Sequence, residues 1–156
     1  MENKLIGKYH KVREITSLKD MFDSSARMYA DRPAFLIKKV KGGEYCQINY
    51  AQAKNDADAL GTQLISMGLK DAKIAIIGEN CYEWVIAYYA AVNGTGVVVP
   101  LDKELSREEV YNLLKIAECR AVFFTPGYED YFIDYDIDFK IKMKVYGDRT
   151  DITEPL

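Results

Sequence analysis

The spacing of apolar residues over the first third of the chain predicts a helix followed by a β-hairpin. Ser17 is a suitable N-cap for the helix, because its hydroxyl can accept from the amide three residues later. Pro33 disfavours helix in the residue before it and so sets the end. The helix carries its apolar residues on one face: Leu18, Phe22, Ala26 and Tyr29. Two β-prone runs, 34–40 and 44–48, flank Lys41-Gly42-Gly43 and predict the hairpin.

A second helix is predicted to follow the hairpin directly. Asn49 is expected to cap its start, with Gln52 at the position that returns a hydrogen bond in a capping box. Gly68 follows its last turn, where a left-handed residue is expected. Its apolar stripe alternates spacings of three and four and consists of Tyr50, Ala53, Ala57, Leu60, Leu64 and Met67.

Beyond residue 72 the pattern becomes an alternation of short apolar runs and helix-length segments. Residues 73–77, 96–99 and 121–124 are the apolar runs and predict strands. Continuously apolar strands separated by helices are typical of a parallel sheet that is covered on both faces and joined by right-handed crossovers. We therefore predict an α/β fold with a mostly parallel sheet and flanking helices.

Two helices are predicted between these strands. Asn80 is expected to cap the first, residues 81–92, and Asn93-Gly94 to stop it. A Ser106–Glu109 capping box opens the second. The apolar stripe of this second helix is Val110, Leu113, Leu114 and Ala117.

The start and the end of the chain have weaker patterns. The first fifteen residues are polar and predict an extended lead-in, whereas 140–146 alternates basic and apolar residues and predicts a half-buried strand. Residues 148–156 are predicted to fray. The ordered core is therefore expected to span about residues 17–146.

The predicted helix 81–92 is unusual because Glu83 is its only residue that is neither apolar nor aromatic. A helix that is apolar all round belongs inside a large core. Either the sheet and its neighbours wrap this helix, or a segment outside these residues covers it. The pattern alone leaves both alternatives open.

Composition narrows the class of protein without indicating a function. The 156 residues are 49% hydrophobic, and the net charge is −3, which gives no electrostatic basis for binding nucleic acid. The longest apolar run, 84–92, is about half of what spans a bilayer, and no secretory signal or transmembrane segment is expected. Three widely spaced cysteines, Cys46, Cys81 and Cys119, favour a reducing compartment, so a cytoplasmic location is predicted.

Several residue types that commonly catalyse reactions or bind metals occur in the chain. His10 is the only histidine and has no partner motif, so it is not predicted to be catalytic. The cysteines lack the close pairs of a zinc site and are predicted to be buried structural thiols. An EF-hand loop beginning at Asp134 would need Gly and Glu where Phe139 and Val145 stand. Residues 134–138 are therefore predicted to be a solvated acidic edge whose aromatic residues point inward.

Phosphate-binding and ligand-pocket patterns are also incomplete. Gly94-Thr95-Gly96 begins like a dinucleotide fingerprint, but Val99 occupies the third glycine position and the segment follows a helix. Gly78-Glu79-Asn80 lies between a strand and a helix, where an anion could bind, but Glu79 would repel phosphate and a plain turn is favoured. Trp84, Tyr88 and Tyr89 could line a pocket, but their helical spacing is more typical of core residues.

The order of segments resembles the adenylate-forming acyl-CoA synthetases from about residue 17 to residue 124. The resemblance rests on the first helix followed by Asp31-Arg32-Pro33-Ala34, on Ile48-Asn49-Tyr50 opening a long helix that ends in Gly68-Leu69, and on 73–80. The most telling stretch is 84–92 leading into 94–102, and residues 79–84 look most like the long-chain fatty-acid branch.

The resemblance implies ATP-dependent chemistry in a larger protein. Members of this family join a carboxylate to AMP with release of pyrophosphate and then transfer the acyl group to coenzyme A, with Mg²⁺ stabilising charge at phosphorus. The family's phosphate loop, its adenine, metal and ribose motifs and its catalytic lysine domain are absent from this sequence. No catalytic, cofactor-binding or metal-binding residue is therefore assigned here, and ATP, Mg²⁺ and CoA are expected only in the full-length parent.

Two hypotheses of different class follow. In the first, residues 1–156 are an N-terminal fragment of the large AMP-binding domain, a partial subdomain of the acyl-adenylate synthetase fold that is inactive alone. Its partners would be the remainder of the ligase and a fatty acid or other carboxylate, with a membrane-peripheral location of the parent left open. In the second, the chain is a complete non-catalytic α/β binding module. Both allow a homo-oligomer formed through exposed apolar surface.

Overall fold

The computed structural model of the protein describes residues 13–39 and 43–144. Its helices are α1 (Leu18–Met28), α2 (Tyr50–Ser66), α3 (Tyr82–Ala90), α4 (Arg107–Ala117) and α5 (Glu129–Phe132). Its strands are β1 (Pro33–Lys38), β2 (Tyr45–Asn49), β3 (Lys73–Ile77), β4 (Val97–Pro100), β5 (Ala121–Phe124) and β6 (Phe139–Lys142). The predicted α/β class is confirmed, and the predicted helices and strands occur in the predicted order, with α5 as an additional helix that the sequence did not predict.

The predicted hairpin forms between β1 and β2, which pair antiparallel with Phe35 opposite Ile48 and Lys38 opposite Tyr45. The inner side of the hairpin packs on α2, because Ile48 is buried and Phe35 and Ile37 contact the same core cluster. The predicted Lys41-Gly42-Gly43 turn lies largely outside the described residues, as do His10, most of the predicted lead-in and residues 148–156.

The second sheet has the order β4-β3-β5-β6, and every neighbouring pair is parallel. Side chains alternate between its two faces, as strand geometry requires. Ile74, Ile76 and Phe123 pack under α2 and α3. Ala75, Ile77 and Phe124 pack under α4 and α5. The sheet is therefore covered on both faces, as its apolar strands predicted.

Three of the predicted helix caps are present, and two details of the predicted caps are wrong. The side chains of Ser17 and Asn49 accept the expected amide hydrogen bonds, and Ser106 with Glu109 forms the complete capping box. Gln52 does not return a hydrogen bond to Asn49, because its amide Nε2 donates to Asp56 on the next turn at 2.6 Å. Asn80 is not the cap of α3; the Sγ of Cys81 accepts from the Trp84 amide at 3.4 Å.

The all-apolar helix α3 is wrapped by its neighbours. None of its residues is exposed, and Ile86, Ala87 and Ala90 are buried against α2 and the sheet. On its outer side Tyr89 stacks on Phe22 of α1 with ring centroids 4.1 Å apart. The structure thus favours the first of the two alternatives that the pattern left open.

A π-helical turn, Ala91–Thr95, joins α3 to β4 where the sequence predicts only a stop. Gly94 adopts a φ of 135° there, which a residue without Cβ accommodates. At Gly96 a Cβ would lie 2.1 Å from the Ala72 carbonyl oxygen. Glycine at this position therefore lets the chain enter β4 directly against the segment before β3.

The segment after β5 is more structured than its acidic and aromatic alternation indicated. A 3₁₀ turn, Pro126–Tyr128, leads into α5, and Phe132 is completely buried. The predicted final strand is shifted, since β6 occupies Phe139–Lys142. The part of the predicted strand beyond residue 144 lies outside the described residues.

Candidate functional site

The carboxyl ends of the parallel strands lie at the same end of the sheet. The connections that leave β3 and β5 there lead to opposite sides of the sheet. From β3 the chain runs to β4 on one side, whereas β5 is followed by β6 on the other side. Ligands of open α/β sheets bind in the crevice at such a switch point. The residues around this crevice are named here the switch-point corner: Gly78, Glu79, Lys103, Thr125 and Tyr128.

The centre of the switch-point corner is filled by a threonine side chain. Thr125 directly follows β5, is only 2% exposed, and its Oγ1 accepts from the Glu79 amide at 3.3 Å. Gly78 follows β3 with a φ of 148°, and a Cβ there would lie 2.4 Å from Thr125 Oγ1. Gly78 is therefore required for close packing against Thr125 as well as for its backbone conformation.

The rim of the switch-point corner is tied together by one ion pair and one hydroxyl. Lys103 lies 3.4 Å from the Glu79 carboxylate, and the charge of Glu79 raises the pKa of Lys103. The Tyr128 hydroxyl donates to the Lys103 carbonyl at 2.6 Å. Partial burial raises the pKa of Tyr128, and Glu79 adds to this shift. Lys103 and Tyr128 both stay protonated at neutral pH, and their contacts connect the loops that follow β3, β4 and β5.

A second concave feature, which sequence reasoning missed, lies between α1 and α2. It is an open groove of about 340 Å³, and its lining comprises Asp23, Ala26, Arg27, Ala51, Lys54 and Asn55. No local motif marks this groove, because its walls come from two helices that approach each other only in the folded chain. The spacing of residues within either helix carried no signal for it.

Ion pairs occupy one wall of this groove. Lys54 contacts Asp23 at 3.4 Å and also pairs with Asp58 one turn along α2. Burial opposes ionisation of Asp23, but hydrogen bonds and charges from Lys19 and Lys54 outweigh it and lower the pKa of Asp23. The same balance, with Asp58 and Asp23 as partners, raises the pKa of Lys54. This wall is a stable ion-pair network rather than an acid–base pair.

The cysteines have the environment of structural thiols. All three are free and half-buried. Burial raises the pKa of Cys81 to about 11, and burial also raises the pKa of Cys119. Because the thiolate is the reactive form, Cys81 and Cys119 are poor nucleophiles and poor metal ligands at neutral pH.

The acidic and aromatic segments have the placements that the sequence favoured. Asp134, Asp136 and Asp138 are exposed, whereas Tyr135 and Ile137 pack toward the core, which confirms a solvated acidic edge. Trp84 stacks on Tyr88 with centroids 5.6 Å apart, and both rings contact the larger core cluster. These aromatic residues are therefore packing residues rather than the lining of a pocket.

Comparison with known proteins shows to which family the chain belongs. A family model described as AMP-binding enzyme matches residues 22–150. The chain belongs to the AMP-binding enzyme family. Medium-chain acyl-CoA ligase ACSF2 of Mus musculus is 26% identical over 110 residues, which is 70% of this chain and 17% of that protein. Long chain acyl-CoA synthetase 1 of Arabidopsis thaliana is 24% identical over 147 residues, 92% of this chain and 22% of that protein.

Solved structures agree with this family in fold. The N-terminal domain of FACL13 from Mycobacterium tuberculosis superposes with a TM-score of 0.70 at 19% identity, covering 82% of this chain and 34% of that one. The anthranilate CoA ligase AuaEII, solved with anthranoyl-AMP, gives a TM-score of 0.70 at 15% identity over 83% of this chain and 25% of that one. The chain spans about a fifth of the length of the two acyl-CoA ligases and synthetases from Mus musculus and Arabidopsis thaliana named above.

The residues of the switch-point corner of this AMP-binding family member do not fit a nucleotide phosphate. At the switch-point corner the Thr125 side chain fills the space above Gly78, and the Glu79 carboxylate would repel phosphate. Within residues 13–39 and 43–144, no three His, Cys, Asp or Glu side chains cluster as a metal site would need. No helix in those same ranges has the length and apolar character to cross a membrane.

Proposed function

We propose that this chain forms the N-terminal scaffold of an AMP-forming, ATP-dependent acid–CoA ligase. The observation that carries the proposal is the family match over residues 22–150, and the curated relatives with acyl-CoA ligase names support it. The fold agrees with this role, since a sheet covered on both faces is a rigid platform for loops. ATP, Mg²⁺ and CoA would be bound by the rest of the ligase; the switch-point corner does not fit a phosphate, and the described residues contain no cluster of metal ligands.

We further propose a fatty acid as the carboxylate substrate, with the long-chain class as the preferred one. The support is the resemblance of residues 79–84 to the long-chain branch, together with relatives named long chain acyl-CoA synthetase. Other relatives are named medium-chain and crotonobetaine/carnitine ligases, so a chain-length series is the informative assay. A cytoplasmic location of the ligase is part of the same proposal.

The proposal is tested by acid-dependent exchange of pyrophosphate into ATP. The chain of residues 1–156 is expected to show no exchange and no heat of ATP binding, because Thr125 fills the switch-point corner and the Glu79 carboxylate would repel phosphate there. A longer polypeptide read from the same gene is expected to show exchange with long-chain acids in preference to medium-chain ones. Thioester formation by residues 1–156 alone would contradict the scaffold role. If the longer polypeptide showed no pyrophosphate exchange with fatty acids of any chain length, the proposed substrate class would be wrong.

A further inference from the structure

Two side chains that line the α1–α2 groove have no partner among the described residues. Arg27 belongs to α1 and Asn55 to α2, and both residues are exposed. Neither side chain makes a hydrogen bond or an ion pair within residues 13–39 and 43–144. The other two polar residues of the lining, Asp23 and Lys54, pair with each other at 3.4 Å. The groove therefore presents hydrogen-bond donors that the described part of the chain leaves unused.

The charges in and beside the groove leave one positive charge unbalanced. Lys19 pairs with Asp23 at 2.8 Å, and Lys54 pairs with both Asp23 and Asp58. These two lysines and two aspartates cancel, so Arg27 carries the surplus charge. A monoanion matches this surplus. The second charge of a phosphate dianion would find no further unpaired cation in the described lining and would be repelled by the Asp23 carboxylate.

The types of donor in the groove favour a carboxylate. A guanidinium presents its N–H groups as a planar fork that matches the two oxygens of a carboxylate. The side-chain amide of Asn55 adds two N–H donors from the other helix. Arg27 and Asn55 can therefore donate to one carboxylate from both sides of the groove.

The size and the apolar residues of the groove favour an organic acid over a bare ion. Its volume is about 340 Å³, at the lower end of the range for small-molecule sites. Ala26 and Ala51 are the apolar residues of its lining, and neither fills the groove with a long side chain. An alkyl chain of a few carbons that lies against these methyl groups removes apolar surface from water.

Contacts between the two helices form the groove before any ligand binds. The ion pair between Asp23 and Lys54 joins the middle of α1 to α2. The Ala51 amide donates to the Ala30 carbonyl at 3.1 Å and fixes the end of α1 to the start of α2. A ligand therefore does not have to bring the two helices together, and its binding costs little ordering of the chain.

We propose that the α1–α2 groove binds a short aliphatic carboxylate, with Arg27 and Asn55 donating to its oxygens and Ala26 and Ala51 contacting its alkyl chain. The groove is open to solvent, so water competes for both donors and the complex is weak. The site does not depend on the proposed ligase chemistry, which the exchange assay tests separately.

Titration of isotope-labelled residues 1–156 with hexanoate at constant ionic strength, followed by two-dimensional NMR, tests the site. Hexanoate is expected to shift the Nε–H signal of Arg27 and the Nδ2 signals of Asn55. Acetate should bind several-fold more weakly, because it has almost no alkyl chain to remove from water. Inorganic phosphate should also bind more weakly than hexanoate. Hexylammonium, which has the same chain and the opposite charge, should leave both signals in place.

Two variants locate the carboxylate. Arg27→Gln removes the surplus charge and should raise the dissociation constant of hexanoate about tenfold or more. Asn55→Asp keeps the shape of the side chain but places a carboxylate in the groove, so it should abolish binding by repulsion and by pairing with Arg27. Arg107→Gln is the matched control, because it removes an exposed guanidinium from α4 on the other face of the sheet. It should leave the dissociation constant unchanged.

Circular dichroism should show that all three variants fold, since each changes an exposed helical position. A wild-type chain in which hexanoate shifts neither signal would overturn the proposal. Equal weakening by Arg27→Gln and Arg107→Gln would overturn it too, because binding would then follow net charge alone. Tighter binding of phosphate than of hexanoate would exclude a carboxylate as the ligand of this groove.

Discussion

The two faces of the parallel sheet are covered in different ways. On the first face, β3 and β5 lie beneath α2 and α3. Side chains of α1 and the hairpin enlarge this core cluster, whose members are spread along the chain between Phe22 and Met143. On the second face, α4 and the single turn of α5 cover a much smaller apolar cluster. Burial of apolar area can therefore hold the first layer of helices on the sheet, whereas the second layer needs additional contacts.

Tyrosine hydroxyls provide those contacts on the second face. Tyr128 donates to the Lys103 carbonyl at 2.6 Å, and Tyr131 donates to the Leu105 carbonyl at 3.4 Å. Tyr135 donates to the Tyr111 carbonyl at 3.4 Å, and the Tyr111 hydroxyl donates to the carbonyl of Tyr131. These bonds connect the segment after β5 to α4 and the loop before it. The comparison indicates that a thin layer can be fixed by aromatic side chains whose hydroxyl groups bind backbone carbonyls.

Truncation in the thicker layer should have the largest effect on stability. Ile86 of α3 is completely buried, so Ile86→Ala is expected to lower the free energy of unfolding by about 3 kcal/mol through lost transfer energy and a residual cavity. Urea unfolding followed by circular dichroism measures the loss. Ile116→Ala makes the same change at an exposed helical site and should shift stability by no more than about 0.5 kcal/mol. Equal losses for the two variants would contradict the burial of α3.

Truncation in the thinner layer should cost less and act locally. Phe132 of α5 is completely buried and lies 4.8 Å from the Phe124 ring, yet α5 is a single turn that can detach from the sheet. Phe132→Ala is therefore expected to cost about 2 kcal/mol, because local opening limits the loss. Hydrogen exchange should accelerate in α5 while β3 remains protected. Uniform acceleration across both layers would show that the two faces unfold as one unit.

Removal of one tyrosine hydroxyl tests how the thinner layer is held. Tyr128→Phe keeps the ring and deletes the hydrogen bond to Lys103, so it should cost about 1 kcal/mol. Tyr45→Phe is the matched control, since Tyr45 is 63% exposed on the hairpin. Thermal unfolding of the two variants compares them directly. If Tyr128→Phe were as neutral as the control, packing alone would hold both layers.

The smallest effect is expected from the ion pairs beside the α1–α2 groove. The pKa of Asp23 is lowered in the folded chain, so its contribution to stability is fully present above the unfolded pKa of about 3.9 and is lost as pH falls through the lower folded value. Asp23→Asn should therefore cost about 0.5 kcal/mol at pH 7 and nothing at strongly acid pH. Unfolding curves of both proteins across this range measure the difference. A difference independent of pH would exclude the charge of Asp23 as its cause.

Local patterns predicted much of the fold because they act within a few residues. Ser17, Asn49 and Ser106 cap their helices as expected, since a side-chain oxygen needs only an amide two or three residues away. Where two local solutions compete, the pattern was insufficient. Asn80 is the stronger cap by residue type, yet Cys81 has the extended backbone and takes the role. Gln52 could close a capping box, but Asp56 offers a charged acceptor one turn away.

The candidate site was harder to predict than the fold. The Gly78-Glu79-Asn80 turn was identified at the junction of strand and helix, but Thr125, which fills it, is remote in sequence. Lys103 and Tyr128 gave no signal, because their roles depend on loops that follow different strands. The α1–α2 groove was missed for the same reason. The expectation that this chain holds no catalytic or cofactor-binding residue stays a prediction, which the exchange assay addresses.

The amino-acid sequence by itself determined the order of helices and strands, the parallel character of the larger sheet and the inward or outward direction of most side chains. These follow from the repeat of apolar residues and from caps and turns, which are short-range effects. Only the tertiary structure decided that neighbouring helices enclose α3, that Thr125 fills the crevice beside Gly78, and that Ile116 stays exposed. Each of these depends on which surfaces meet after the chain has folded, and residues far apart in sequence meet only through packing.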